Sequence, residues 1–176
     1  MIFKITFLNL KSLLVNPNFP TFQKLITNPV KYKLFMLSKL PMGFISGLKM
    51  EQLNQDKAVV SVRFKWVNQN PFRSIYFAVL SMAAELSTGV IGFANIYKRQ
   101  PSVSMLVVKV EAEFYKKAVG KIVFTCNDGN AVANAIEQTI NTGEGINVNC
   151  TSVGVNEQGE VVAKFVFVWS FKAKKN

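Results

Sequence analysis

The chain has 176 residues, of which 49% are hydrophobic and 18% charged, enough apolar material for one sizeable core and too much for a disordered tail protein. Its 21 Lys and Arg stand against 10 Asp and Glu, a net charge of +11 that favours anionic partners without naming one. The absence of histidine excludes Ser-His-Asp and Cys-His nucleophile pairs and every His-ligated zinc site, so a general base here is a carboxylate, Lys, Tyr or Cys.

Met1 to Val15 is apolar but broken by Lys4, Asn9 and Lys11, too short and too interrupted for a membrane-spanning helix and without a small-residue cleavage site. We expect a weakly ordered leader over residues 1–24. All seven charges in residues 1–50 are lysines, so contact with a membrane surface is the alternative. Asn28-Pro29 reads as an N-cap followed by Pro at the first helical position, and Val30, Leu34 and Leu37 recur at helical spacing until Pro41. Ile45 to Leu53 and Lys57 to Trp66 are strand-like, separated by Asn54-Gln55-Asp56. The second run alternates, with Val60, Val62, Phe64 and Trp66 on one face.

After the turn residues Asn68-Gln69-Asn70-Pro71, Phe72 to Ala94 is the most apolar stretch and predicts the longest helix. Within it Ile75 to Ala94 mimics a membrane span, but a carboxylate in its middle, Glu85, would cost roughly 2.5–3.5 kcal/mol there on insertion scales. A helix enclosed by protein is the better assignment. Met105 to Tyr115 resumes alternation, with Val108, Val110, Ala112 and Phe114 opposed to Lys109, Glu111 and Glu113, and Lys121 to Cys126 is the next strand. Val132, Ala135, Ile136 and Ile140 mark a short helix that Gly143 ends. Ile146 to Val155 and Glu160 to Lys172 are the last strands, the second carrying Phe165, Phe167, Trp169 and Phe171 on one face. Such a row stacks nucleobases in some proteins, but without basic residues interleaved on that face it reads as core. Cys126 and Cys150 form no CxxC and read as reduced, apolar strand residues, which suits a cytoplasmic protein.

Strand runs broken by few helices predict an α+β domain with a mostly antiparallel sheet. One all-apolar helix needs cover on every side, and a sheet curled around it supplies this. We place this single domain at residues 25–176.

The run WVNQNPFRSIYFAVLSMAAELSTG (Trp66 to Gly89), with KLPMGF before it and EFYKKAVGKIVFTC after it, resembles the hotdog-fold thioesterase-like proteins. It is similar to a bacterial branch related in outline to the phenylacetyl-CoA thioesterase type. The resemblance covers Leu25 to Lys175 and implies an antiparallel sheet wrapped round Ser74 to Phe93. It also implies pairing of sheet edges in a homodimer or a tetramer, and an acyl-CoA or acyl-carrier thioester as substrate. No cofactor follows beyond the coenzyme A of the substrate, and neither a metal nor a nucleic-acid partner. In that family the thioester lies at the dimer interface, served by an amide before the helix, a backbone N–H in its first turns and a carboxylate two turns later. Those positions fall here on Asn70, on Tyr76, Phe77 and Ala78, and on Glu85. Active relatives usually place glycines where this chain has Phe77-Ala78, so a module that binds acyl thioesters or lipids without cleaving them is the alternative function.

Each candidate also has a purely structural reading. Glu85 is the only charged residue between Arg73 and Lys98, and on a buried helix its pKa should rise toward the range of a general base. It could equally be a carboxylate satisfied in an interface. Thr88, one turn on, could orient Glu85 or a water, or pack the helix. Asn70 could touch the substrate or form an Asx turn or N-cap. Lys98, Arg99, Lys116, Lys117 and Lys121 are candidates for the phosphates of coenzyme A, or a solvated strand edge.

Overall fold

A computed structural model describes residues 16–174, so most of the expected leader lies outside the described residues. Three helices come first: α1 (Phe19–Thr27), α2 (Pro29–Lys39) and α3 (Pro41–Ser46). Strands β1 (Lys49–Leu53) and β2 (Ala58–Arg63) follow, then a 3-10 turn at Trp66–Asn68. The long helix α4 (Phe77–Ile96) leads to β3 (Val103–Phe114) and β4 (Lys121–Cys126). Helix α5 (Gly129–Thr142) precedes β5 (Ile146–Val155) and β6 (Val161–Ala173).

The six strands form one sheet in the order β1-β2-β4-β5-β6-β3, every neighbouring pair antiparallel. Helix α4 lies along the concave face, against β2, β4, β5, β6 and β3. It is long and apolar enough to cross a membrane, yet most of it is buried inside the protein. Close packing explains its glycines. A Cβ at Gly92 would stand 3.0 Å from the Phe171 ring, and one at Gly89 2.9 Å from Trp169, so larger residues would push the helix off β6. The aromatic row Phe165, Phe167, Trp169 and Phe171 is buried under α4, as the alternation predicts.

Several elements differ from the sequence expectation. Residues 19–24 are not leader, because Phe19, Phe22 and Ile26 put one face of α1 into the core. The Asn16 side-chain amide fixes the start of this segment by donating to the carbonyls of Ala94 (3.1 Å) and Tyr97 (2.8 Å), acceptors that the end of α4 would otherwise leave open. Asn28 does cap α2, accepting from the N–H of Val30 and Lys31. The buried face of α2, however, carries Tyr32 and Met36, while Val30, Leu34 and Leu37 face outward. Residues 45–48 are not strand: Pro41 opens α3, and Gly47 ends it in the left-handed region at φ 80°.

Trp66 lies beyond β2 in the 3-10 turn and is exposed. Helix α4 starts at Phe77 rather than Phe72, because residues 70–76 are held in a tight loop described below. In β3 a bulge between Val107 and Lys109 changes the phase of the strand. Met105 and Val107 oppose Phe171 and Trp169 before it, and Val110 and Ala112 oppose Phe167 and Phe165 after it. Val108 therefore does not share a face with Val110, Ala112 and Phe114.

Candidate active site along the central helix

The loop before α4 is built from two asparagines. Asn68 is buried, accepts from the Lys65 N–H (2.8 Å) and donates to the carbonyls of Ser46 (3.1 Å) and Arg63 (3.0 Å). Asn70 accepts from the N–H groups of Phe72 (2.9 Å) and Ser74 (3.2 Å) and donates to the Ser74 hydroxyl (3.0 Å). This is an Asx turn, with Arg73 at φ 56°. The amide proposed from the sequence to meet substrate is thus engaged in its own loop, and Asn68, read from the sequence only as a turn residue, is the one that ties the loop to the sheet.

At the start of α4 the Tyr76 N–H donates to the Asn68 carbonyl at 2.8 Å. It is committed and is withdrawn from the three candidate oxyanion donors. The N–H groups of Phe77 and Ala78 have no partner among the described residues, as expected for the first turn of a helix. The Phe77 side chain does not cover them from within the core. It is exposed and meets the rings of Tyr76 (4.8 Å) and Phe114 (6.4 Å) edge-on.

Glu85 lies two turns further on, half-buried. Its carboxylate makes no hydrogen bond or ion pair among the described residues, and burial raises its pKa above the ordinary carboxylate value. The side chain stands in the wall of a cavity of about 530 Å³ between α1, α2 and α4, over the Trp169 ring. A smaller cavity of about 240 Å³ beneath α3 shares Glu85, Leu86, Lys39 and Leu40 with the first. Among the described residues, Lys39 and Glu85 are the only charged ones lining either cavity. Lys39 was missed in the sequence although it opens the KLPMGF motif. Only the packing of α2 on α4 shows that it shares a cavity with Glu85.

Thr88 does not reach the Glu85 carboxylate. Its hydroxyl donates to the Glu85 backbone carbonyl (3.0 Å) and accepts from the Trp169 indole N–H (3.0 Å), wholly buried. It holds α4 to β6.

The five basic candidates do not form one cluster in this chain. Lys98 and Arg99 follow the C-terminal end of α4, whereas Lys116, Lys117 and Lys121 surround its N-terminal end, where the Ala118 carbonyl accepts from the Ile75 N–H. At 1.5 Å per residue the helix between the two groups is about 30 Å long. Arg99 is paired with Glu137 of α5, both side chains being largely buried, and Lys116 and Lys121 pair with Glu160 and Glu51, each at 2.6 Å. Lys98 lies over the Tyr97 ring, 5.5 Å from its centre. Lys117 is exposed and has no ion pair among the described residues.

No protein-family model matches the chain, and no curated protein matches it in sequence. Solved structures match it well. A Pseudomonas aeruginosa protein of unknown function, described as a probable thioesterase, is 20% identical with a TM-score of 0.71, over 83% of this chain and 97% of that one. A Chlorobaculum tepidum protein of unknown function is 14% identical with a TM-score of 0.68, over 84% and 98%. A thioesterase from Haemophilus influenzae is 13% identical with a TM-score of 0.61, over 80% and 88%. With the curled six-stranded sheet around α4, these likenesses establish that the chain has the hotdog fold. Its structural neighbours are thioesterase-like proteins of that fold.

Proposed function

We propose that the protein is an acyl-thioester hydrolase in which Glu85 is the catalytic carboxylate. The observation that carries this reading is Glu85 itself: an ionisable group with a raised pKa, without a hydrogen-bond or ion-pair partner among the described residues, in the wall of a mostly apolar cavity. Carboxylates are seldom kept in such surroundings without a task. As general base Glu85 takes a proton from water; the hydroxide oxygen bonds to the thioester carbonyl carbon, and the C–S bond breaks to give a carboxylic acid and a thiolate. Direct attack by the carboxylate on the carbonyl is the other route, with water cleaving the resulting anhydride. The free N–H groups of Phe77 and Ala78 suit the oxyanion that either route forms.

One chain does not bring these groups together. Eight residues separate Phe77 from Glu85, about 12 Å along the helix axis. We infer a site shared between two copies in a homodimer, each supplying one of the two elements. The uncovered edge strand β3 supports this. Substrate is an acyl-CoA or acyl-carrier thioester, no further cofactor is needed, and two free buried cysteines suit a cytoplasmic setting. Of the basic candidates Lys98 and Lys117 are the best placed for coenzyme A phosphates, since neither has a carboxylate partner among the described residues.

The test is release of thiol from acyl-CoA esters, followed with a thiol-trapping dye, in wild type and Glu85→Gln. We expect a loss of at least about a hundredfold in kcat, the usual contribution of a general base, with the circular dichroism spectrum unchanged. Equal turnover in the two proteins removes Glu85 from the mechanism. No turnover in either, with tight acyl-CoA binding, makes the protein a thioester-binding module.

A further inference from the structure

The larger cavity has a direction. The α4 residues that line it, Glu85, Leu86, Gly89, Val90 and Phe93, recur at positions i, i+4 and i+8 and so form one stripe of the helix. The stripe runs about 12 Å from the carboxylate toward the end of α4. Its floor is the Trp169 ring. Its roof is Phe22 of α1 and Phe35 of α2, which are not part of the sheet or the central helix. Phe93 closes the far end, packed against Phe22 (5.1 Å), Phe35 (6.4 Å) and Tyr97 (6.3 Å).

Gly89 keeps the channel open beside the carboxylate, for a Cβ there would stand 3.1 Å from Glu85 Oε1 and 2.9 Å from Trp169. Among the described residues no charged one lines the cavity beyond Glu85 and Lys39, and apolar surface predominates. An occupant with polar groups in its interior would lose their hydration without compensation. The volume of about 530 Å³ is more than three times the roughly 150 Å³ that accommodates a benzene molecule, so an unbranched chain of about a dozen carbons fits.

We propose that this channel under α1 and α2 is the acyl-chain subsite, and that the substrate is the thioester of a medium to long unbranched fatty acid. The thioester end lies at Glu85 and the methyl end at Phe93. This rests on the hydrolase reading for the identity of the reacting group, but the channel itself is tested without turnover. Helices α1 and α2 thereby become determinants of specificity, and Phe93 sets the depth.

The experiment has two arms, both on the full-length protein. In the first, kcat/KM is measured for straight-chain acyl-CoA esters from acetyl to palmitoyl and for phenylacetyl-CoA, with wild type, Phe93→Ala and Gly89→Val. In the second, binding of the fluorescent fatty acid cis-parinaric acid, and its displacement by dodecanoic acid, is measured in the same proteins and in Glu85→Gln. We expect kcat/KM to climb with chain length, by up to about fourfold per methylene that enters the channel, to an optimum near a dozen carbons. Phe93→Ala moves that optimum to longer chains; Gly89→Val moves it to shorter ones and weakens parinarate binding at least tenfold. Phe93 is partly exposed, so its variant keeps the proposal testable if Gly89→Val fails to fold.

A flat chain-length profile, or a preference for phenylacetyl-CoA, overturns the subsite even if Glu85→Gln abolishes turnover and the hydrolase reading stands. Absence of thiol release from every ester, with parinarate bound and displaced as described, overturns the hydrolase reading and keeps the channel. Unchanged binding and optimum in both channel variants overturns the proposal outright.

Discussion

The Glu85 carboxyl is set among apolar neighbours, and that placement has two measurable consequences. Burial penalises the ionised form and raises the pKa. Lys39 on α2 is the only other charged group lining the cavities among the described residues, and a cation close to the base would favour its ionised form. Because the base must be ionised to accept a proton, kcat/KM should fall on the acid side through this raised pKa, above the ordinary value of about 4.3 for Glu. Lys39→Met should move that limb to higher pH. A limb at the same pH in both proteins would show that Lys39 is electrostatically remote from the base.

The second consequence is for stability. The native state binds the Glu85 proton more tightly than the unfolded chain does, so stability declines as pH rises from the unfolded pKa through the higher native one and stays reduced above it. Glu85→Gln removes the penalty. It should melt above wild type at pH 7, on the scale of about 2–4 °C for each kcal/mol relieved in a chain of this size, and together with wild type near pH 3, where both carboxyl states are protonated. A variant that is inactive and more stable at pH 7 is the mark of a functional carboxylate. Loss of stability at pH 7 would make Glu85 a structural group instead.

Among the elements, the end of α4 shows how a basic residue read from the sequence as a phosphate ligand acts as a tie. Arg99 and Glu137 are paired with both side chains largely buried, and Arg99 Nη1 finds no hydrogen-bond partner among the described residues. Removing the guanidinium leaves Glu137 uncompensated against α4, which costs about 3–5 kcal/mol in buried pairs. Arg99→Ala should therefore lower the melting temperature sharply while leaving KM for acyl-CoA unchanged below that temperature; a raised KM with normal stability would restore the phosphate role. The elements themselves were unevenly legible. The bounds of β4 and β5, the Gly143 stop of α5 and the aromatic face of β6 follow from alternation and turn residues alone.

Helix α2 follows from its period but its buried face does not: Tyr32 and Met36 turn inward while Val30, Leu34 and Leu37 face outward, and periodicity does not choose between two stripes that both carry apolar surface. The α1 signal was present, Phe19, Phe22 and Ile26 at helical spacing behind Pro20, but lay inside a segment read as leader. The late start of α4 was not legible. It depends on bonds from Ile75 to Ala118 and from Tyr76 to Asn68, the first made to a strand-loop more than 40 residues away.

For the whole molecule, the open sheet ends in two edge strands, the short β1 and the long β3. Strand β3 is 12 residues long and pairs with β6 on one side only. Leu106, Val108, Val110 and Phe114 on it are all about half exposed or more. A long apolar edge of this kind recruits another strand, and in a two-fold dimer it meets a second copy of itself. The same contact is what the proposed mechanism requires, in which Phe77 and Ala78 of one copy approach Glu85 of the other. Glu85 was legible from sequence as the lone charge on an apolar helix. The oxyanion donors proposed to work with it came only from the family resemblance, because in the proposed dimer their proximity would be a property of two chains.

The double variant Leu106→Glu, Val108→Glu places like charges along that edge, where cross-strand repulsion opposes pairing. Both side chains are exposed within a single chain, so the fold should survive with little loss of stability. We expect wild type to sediment as a dimer or a multiple of it, and the variant as a folded monomer without thiol release, although its Glu85 and its channel are intact. It should still bind parinarate, since Trp169, Phe22 and Phe35 come from one chain. A monomeric variant with full turnover would refute the shared site and require each chain to complete its own oxyanion hole. A wild type that is itself a monomer would leave β3 a bare edge and withdraw the dimer altogether.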